Sequence, residues 1–279
     1  MLDDAQIAAA EAAVRKAGDE IVVPLFGALA VGDIEEKTPG DLVTIADRRT
    51  EELLSRELSL IVPGSRVVGE EAVHADPDVL KVLAGPDPVW IIDPIDGTEA
   101  FATGSPRFSV LVALAHNGQL LASWTYAPLL KFMATATHGS GAFVNGRRIR
   151  VSPTPSSLKH LDVVLPQPKW WSAEQRTQFN GVFATGVSPS FFDYAGLHYV
   201  ELASGRRSAM IMPWEYPWDH AAGLLLHAEA GGIVIDMNAR PFDITGGNEL
   251  PVIAAPDRRT AIALRDALLT TSASVPGSA

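Results

Sequence analysis

Along the first third of the chain the apolar positions switch from a helical period to a strand period. Ile7, Val14, Ile21 and Leu25 share one face of a helix, and Gly27 predicts its end. A second helix is predicted from Thr44-Ile45-Ala46-Asp47, where Thr and Asp at i and i+3 suggest a capping box. It runs through Leu53, Leu54 and Leu58 to Pro63-Gly64. Arg66-Val67-Val68-Gly69 and Val89-Trp90-Ile91-Ile92 read as short buried strands, each running directly onto acids. From Phe108 to Val151 the pattern becomes a meander of antiparallel strands: SVLVALA, LLASWTYAP, KFMATAT and AFVNGRRIRV. Turns are expected at His116-Asn117-Gly118 and at His138 to Gly141.

The stretch VSPTPSS at 151–157 interrupts the strand pattern and predicts a seam, dividing the chain into an N-terminal α+β part (1–151) and a C-terminal α/β part (152–279). Beyond the seam, strands and helices alternate. DVVLP is followed by a helix over 173–183, another from about Phe191 to Ala203, SAMIMP, and a helix from Asp219 to Ala230 stopped by Gly231-Gly232. GIVID, VIAAP and a last helix near 257–269 complete the alternation. The fold class expected is therefore α/β, and the small polar tail TSASVPGSA is expected to fray.

With 279 residues, 47% of them hydrophobic, the chain can bury a sizeable core. It has no cysteine, which excludes disulfides and thiolate-held metals and fits a reducing, cytoplasmic setting. The beginning, MLDDAQIAAAEAAVRKAG, reads as an amphipathic helix rather than a secretory signal, and no apolar run approaches the roughly 20 residues needed to span a bilayer. A formal net charge of −11, with only short basic runs at 147–150 and 205–207, argues against nucleic acid as a partner. Small anions would also be repelled, unless a bound cation reverses the local field.

That condition directs attention to the acids that end strands. In WIIDPIDGTEAF, residues 90–101, Asp93 closes an apolar strand, Pro94 fixes a bend, Asp96 follows, and Gly97-Thr98 open the next segment. Another strand ends on Glu70-Glu71, and Asp219 stands at the start of an apolar helix after Pro217-Trp218. A single aspartate in such a place is ordinarily a turn residue or helix cap. Several converging on one volume would repel each other: two charges about 4 Å apart cost roughly 1 kcal/mol in water and roughly 4 at an effective dielectric of 20. Such a cluster needs cations, and oxygen ligands without cysteine or paired histidine point to Mg²⁺, with Mn²⁺ as a substitute.

GEE at 69–71, WIIDPIDGT at 90–98, DLVTIAD at 41–47 and PWDHAAGLLLHAEAGG at 217–232 together resemble the inositol monophosphatase family of Mg²⁺-dependent phosphomonoesterases, over about residues 35–255. The resemblance implies a five-layer α-β-α-β-α sandwich and hydrolysis of an inositol phosphate, or of a similar polyol or sugar phosphate, by metal-activated water. It also implies two to three Mg²⁺ ions, inhibition by lithium, and a homodimer. By the same resemblance Glu70, Asp93 and the Ile95 carbonyl hold one ion, and Asp93, Asp96 and Asp219 a second. Asp47, Thr98 and Glu70 orient and deprotonate the attacking water, and the amides of Gly97 and Thr98 bind phosphate. Lys37 occupies a position where family members carry a lysine near the active site.

Two residues depart from the family pattern. Ala100 stands where an asparagine is usual, and Met212 stands where the animal enzymes carry a glutamate that contacts substrate hydroxyls. Glu215, four residues before Asp219, is the nearest substitute for the second. Relatives of this fold also act on fructose bisphosphate, histidinol phosphate or phosphoadenosine nucleotides, and some serve as regulators, so these readings stand beside the first. Aspartyl-phosphate phosphatases place their two aspartates two apart rather than three. His220 and His227, seven apart with no third partner, do not read as a metal site.

Overall fold

The computed structural model of the protein describes residues 2–38, 40–153, 157–192 and 194–272. The first helix, α1 (Asp4–Ala17), opens on a capping box between Asp3 and Gln6. It loosens into a π turn at Gly18–Val22 and ends as α2 (Val23–Leu25), two residues before Gly27. A hairpin of β1 (Ile34–Thr38) and β2 (Asp41–Thr44), which the apolar pattern does not announce, leads into α3 (Ile45–Ile61). There the expected box forms: the Ala46 amide donates to Thr44 Oγ1, and the Thr44 amide donates to Asp47.

Strand β3 (Arg66–Gly69) feeds α4 (Glu70–Ala75), and β4 (Val89–Asp96) feeds α5 (Thr98–Ala102). The meander follows as β5 (Ser109–His116), β6 (Gln119–Ala127), β7 (Phe132–Thr137), β8 (Gly141–Val144) and β9 (Arg147–Ile149). These seven strands form one sheet in chain order, antiparallel except for the parallel pair β3 and β4.

The second half supplies β10 (Asp162–Pro166), α6 (Ala173–Ala184), β11 (Ser188–Phe192), α7 (Gly196–Ala203), β12 (Ala209–Met212), α8 (Pro217–Glu229), β13 (Ile233–Ile235), β14 (Val252–Ala255) and α9 (Arg258–Ser272). Its five strands are ordered β11-β10-β12-β14-β13. Two expectations are corrected. AFVNGRRIRV is not one strand: Asn145 and Gly146, both at positive φ, fold it back into the hairpin of β8 and β9. Phe191 and Phe192 do not begin a helix but finish β11, paired with Leu165 and Pro166, because the ladder claims their backbone groups; the helix starts at Gly196. The middle of the expected seam and most of the expected frayed tail lie outside the described residues.

Side-chain alternation explains the layering. In β4, Trp90 and Ile92 join the core under α1 and α3, while Val89 and Ile91 face the opposite core with Tyr199 of α7 and Leu224 of α8. In β12, Met210 and Met212 meet that same central core, while Ala209 and Ile211 face Phe179 of α6 and Leu264 of α9. The order is therefore α1/α3, seven-stranded sheet, α7/α8, five-stranded sheet, α6/α9: a five-layer sandwich. Strands buried on both faces read as continuous apolar runs, as VWII does. The two central helices fit tightly, since a Cβ at Gly223 would stand 2.1 Å from the Tyr199 ring.

Candidate active site

The site begins with a defect in β4. Asp93 pairs with Leu111 and Asp96 with Ser109, so four residues of β4 oppose three of β5. Pro94 has no N–H to give the ladder, and the extra residue is accommodated as a bulge. Residues three apart on a regular strand would face opposite sides. Here the two carboxylates enter one electrostatic neighbourhood, where Asp96 leaves Asp93 harder to ionise. Gly97 then turns the chain with φ +95°, and α5 begins.

Asp96 is held from the other half of the chain. Its two oxygens accept the amides of Ala195 (2.8 Å) and Gly196 (2.9 Å) at the start of α7, and Ser109 Oγ donates at 3.3 Å. Asp219 arrives in the first turn of α8, and its pKa is pushed well above the usual carboxylate range by burial and by Asp96 and Glu70. Burial also raises Asp93, with Glu70, Asp96, Asp219 and Asp47 adding to the shift. Burial takes Asp96 to about 6 and Glu70 to about 8, with the Ala195 and Gly196 amides and Lys37 respectively pulling the other way. The four predicted metal carboxylates, from β4, α4 and α8, thus share one desolvated region.

Asp47 is both a helix cap and a part of this site. Its Oδ2 accepts the Thr44 amide (2.8 Å) and Thr44 Oγ1 (2.6 Å), while its Oδ1 lies 3.1 Å from Thr98 Oγ1. Burial lifts its pKa to about 6 against those hydrogen bonds. The Thr98 hydroxyl also lies 2.9 Å from the Ile95 carbonyl, which retains a second lone pair.

One cation stands among these acids. Lys37 Nζ, on β1, is 2.8 Å from Glu70 and 2.5 Å from Glu71, and its side chain is only 3% exposed. Burial works against its charge, but the two glutamates more than reverse that and raise its pKa. With Glu70 turned to Lys37, no group of three or more Asp, Glu, His or Cys side chains among the described residues is gathered as a ready ligand set. The donors nevertheless suit a hard cation. Asp93 Oδ1 is buried with no hydrogen-bond partner, every donor is oxygen, and four neighbouring carboxyls resist ionising together.

Two cavities flank the acids and share Asp41. One, of about 270 Å³, is lined by Gly97, Thr98, Phe192 and Trp214; the other, of about 540 Å³, by Lys37, Glu70, Tyr216, Trp218 and Asp219. Glu215 lines neither, because its Oε2 accepts the backbone amide (2.9 Å) and side-chain amide (2.7 Å) of Asn248. Met212 is fully buried in the central core. At Ala100 the turn closes through backbone instead, with the Ser105 amide donating to the Ala100 carbonyl at 2.8 Å. His220 and His227 are neutral and structural, both lowered to about 4 by burial. His220 bridges Tyr199 and the Trp214 carbonyl, and His227 meets the Ala255 carbonyl.

The chain is similar to known proteins over most of its length. The family model described as "Inositol monophosphatase family" matches residues 3–269. The inositol monophosphatase of Dictyostelium discoideum is 33% identical over 219 residues, covering 76% of this chain and 78% of that protein. The fructose-1,6-bisphosphatase/inositol-1-monophosphatase of Thermotoga maritima is 32% identical over 216 residues, covering 75% and 77%. The crystal structure of the extragenic suppressor protein suhB from Bartonella henselae superimposes with a TM-score of 0.78 at 31% identity, covering 95% of this chain and 98% of that one.

Proposed function

Since the chain belongs to the inositol monophosphatase family and is thereby a phosphoric monoester hydrolase, we propose that it uses Mg²⁺, or Mn²⁺ in its place, to release phosphate from inositol phosphate or a similar polyol or sugar phosphate. The observation that carries this reading is the buried convergence of Glu70, Asp93, Asp96 and Asp219 with an unpartnered Asp93 oxygen. These four carboxylates and the Ile95 carbonyl would hold two to three ions, with Glu70 giving up Lys37. The ions, when bound, supply charge neutralisation at the phosphate and a lowered pKa for water.

The chain's own residues carry the rest. Thr98 Oγ1, placed between Asp47 and the Ile95 carbonyl, fixes the water that attacks phosphorus. Asp47, beside the Thr98 hydroxyl, and Glu70, once ionised at the metal, would take its proton. One oxygen–phosphorus bond forms from water, the ester bond to the alcohol breaks, and the proton is returned to the departing alkoxide. Amides of Gly97 and Thr98 steady the phosphate. No carboxylate is esterified on the way.

The family also supports a homodimer, lithium inhibition and a cytoplasmic setting for this chain. Among the described residues no helix is long and apolar enough to cross a membrane. A regulator on the same scaffold is the weaker reading, because every ligand position is filled by a suitable side chain. The test is phosphate release from a panel of inositol, sugar and nucleotide monophosphates with Mg²⁺ and with EDTA. Metal-dependent turnover of a polyol or sugar phosphate supports the proposal; none with any monoester overturns it.

A further inference from the structure

Helix α4, which starts with the proposed ligand Glu70, lacks a cap of its own. Its N-cap is Gly69, which has no side chain, so the first-turn amides have no local acceptor. They are satisfied from another helix. The Glu51 carboxylate, on α3, accepts the Glu71 amide at 2.8 Å through Oε2 and the Ala72 amide at 2.9 Å through Oε1. Glu51 is only 7% exposed, and a negative group at a helix N-terminus is favourably placed. Gly69 is needed for this arrangement, since a Cβ there would stand 2.3 Å from the Glu51 carboxyl carbon and 2.4 and 2.5 Å from its oxygens.

Glu51 lies four residues after Asp47 on α3, one turn further along the same face. The one helix therefore holds Thr98 through Asp47 and the backbone around Glu70 through Glu51. Glu70 sits between Gly69, which the carboxylate presses against, and Glu71, whose amide it binds. We propose that Glu51 is a positioning residue: by capping α4 from α3, it fixes Glu70 relative to the Asp47–Thr98 pair and so sets the affinity of the metal that Glu70 holds. This rests on the phosphatase reading but is tested separately from it.

The experiment is titration calorimetry of the metal-free protein with Mg²⁺, together with kcat and KM at saturating Mg²⁺, for wild type, Glu51→Gln and Gly69→Ala. Glutamine keeps the shape but offers one acceptor oxygen, so one of the two amides loses its partner. Outer residues that orient metal ligands typically alter metal affinity or activity by 10–100-fold. Glu51→Gln is expected to weaken Mg²⁺ binding by about tenfold or more and to lower kcat, with KM for substrate within about twofold. Gly69→Ala should do the same, and Gly69→Ala with Glu51→Ala, which removes the clash, should regain the fold but not the Mg²⁺ affinity. Unchanged Mg²⁺ affinity in a folded Glu51→Gln protein, or a loss of thermal stability alone, overturns the proposal. Should Glu51→Gln not fold, the same readings on Glu51→Asp decide the question, since the shorter side chain cannot reach both amides. Wild type that binds Mg²⁺ but hydrolyses no monoester would defeat the phosphatase reading and leave the positioning role standing.

Discussion

Asp93→Asn should make the metal-free protein more stable while abolishing its activity. Asp93 is 2% exposed, one of its oxygens has no hydrogen-bond partner, and Glu70, Asp96, Asp219 and Asp47 all oppose its ionisation. Without metal, burial and these neighbours raise its pKa well above the ordinary 3.8 of the unfolded chain, so the folded state resists its ionisation. At a pH above both values, each unit of that rise costs the fold about 1.4 kcal/mol. Asparagine is neutral already and avoids the cost. At roughly 2 °C per kcal/mol for a chain of this size, Tm in EDTA should rise by about 3 °C for each such unit. Calorimetry in EDTA and then in Mg²⁺ checks this. Mg²⁺ should raise the Tm of wild type, by about 2.7 kcal/mol of stabilisation at 100 times Kd, and do much less for the variant. Turnover should fall at least about 100-fold with loss of a ligand shared by both ions. A variant that is less stable than wild type in EDTA, or that keeps its activity, would refute the reasoning.

The same carboxyls give a pH dependence whose sign is fixed. Asp47 and Asp96 titrate at about 6, Glu51 at about 7 and Glu70 at about 8 in the folded protein, all above their ordinary values. Over that window these carboxyls bind more protons in the folded state than in the unfolded chain. His220 and His227, lowered from 6.5 to about 4, oppose this below about 6.5, but the raised carboxyls outweigh them, so metal-free stability should fall as pH rises from about 5 to about 8. Denaturant titrations in EDTA at pH 5 and pH 8 measure it, and greater stability at pH 8 would contradict it. Thr98→Ala should lower kcat by about 100-fold or more with little change in KM, because the hydroxyl positions water rather than substrate; a change confined to KM would assign Thr98 to binding instead. Lys37→Met should tighten Mg²⁺ binding in calorimetry, since the ammonium and the ion compete for Glu70; weaker binding would show that Lys37 assists the ion.

What could be read from the sequence was whatever depends on neighbours in the chain. Thr44 and Asp47 announce their capping box at i and i+3, and the box forms. The run VWII announces a strand buried on both faces, because residues alternate onto two cores. The meander from Phe108 declares itself by turn residues between apolar runs, as β5 to β8 show, but the Asn145-Gly146 turn that separates β9 from β8 went unread inside AFVNGRRIRV. Phe191 and Phe192 misled because two aromatics fit a helix or a strand, and pairing with β10 decided between them.

At the site, the acids were visible as strand-ending residues, but their supports were not. Asp96 is held by amides about a hundred residues away, Glu215 is held by Asn248, and Glu51 caps a helix it is not part of. Each is a long-range contact with no local signal. Gly69 before two glutamates was the nearest hint, since a glycine at an N-cap invites an acceptor from elsewhere.

The most direct test of the whole account is anomalous diffraction from crystals soaked in Mn²⁺. Two peaks flanking the Asp93 carboxylate, one also bound by Glu70 and the other by Asp96 and Asp219, with Lys37 displaced from Glu70, are what it predicts. No anomalous density among these four side chains at saturating Mn²⁺, in crystals of protein that hydrolyses phosphomonoesters, would contradict it.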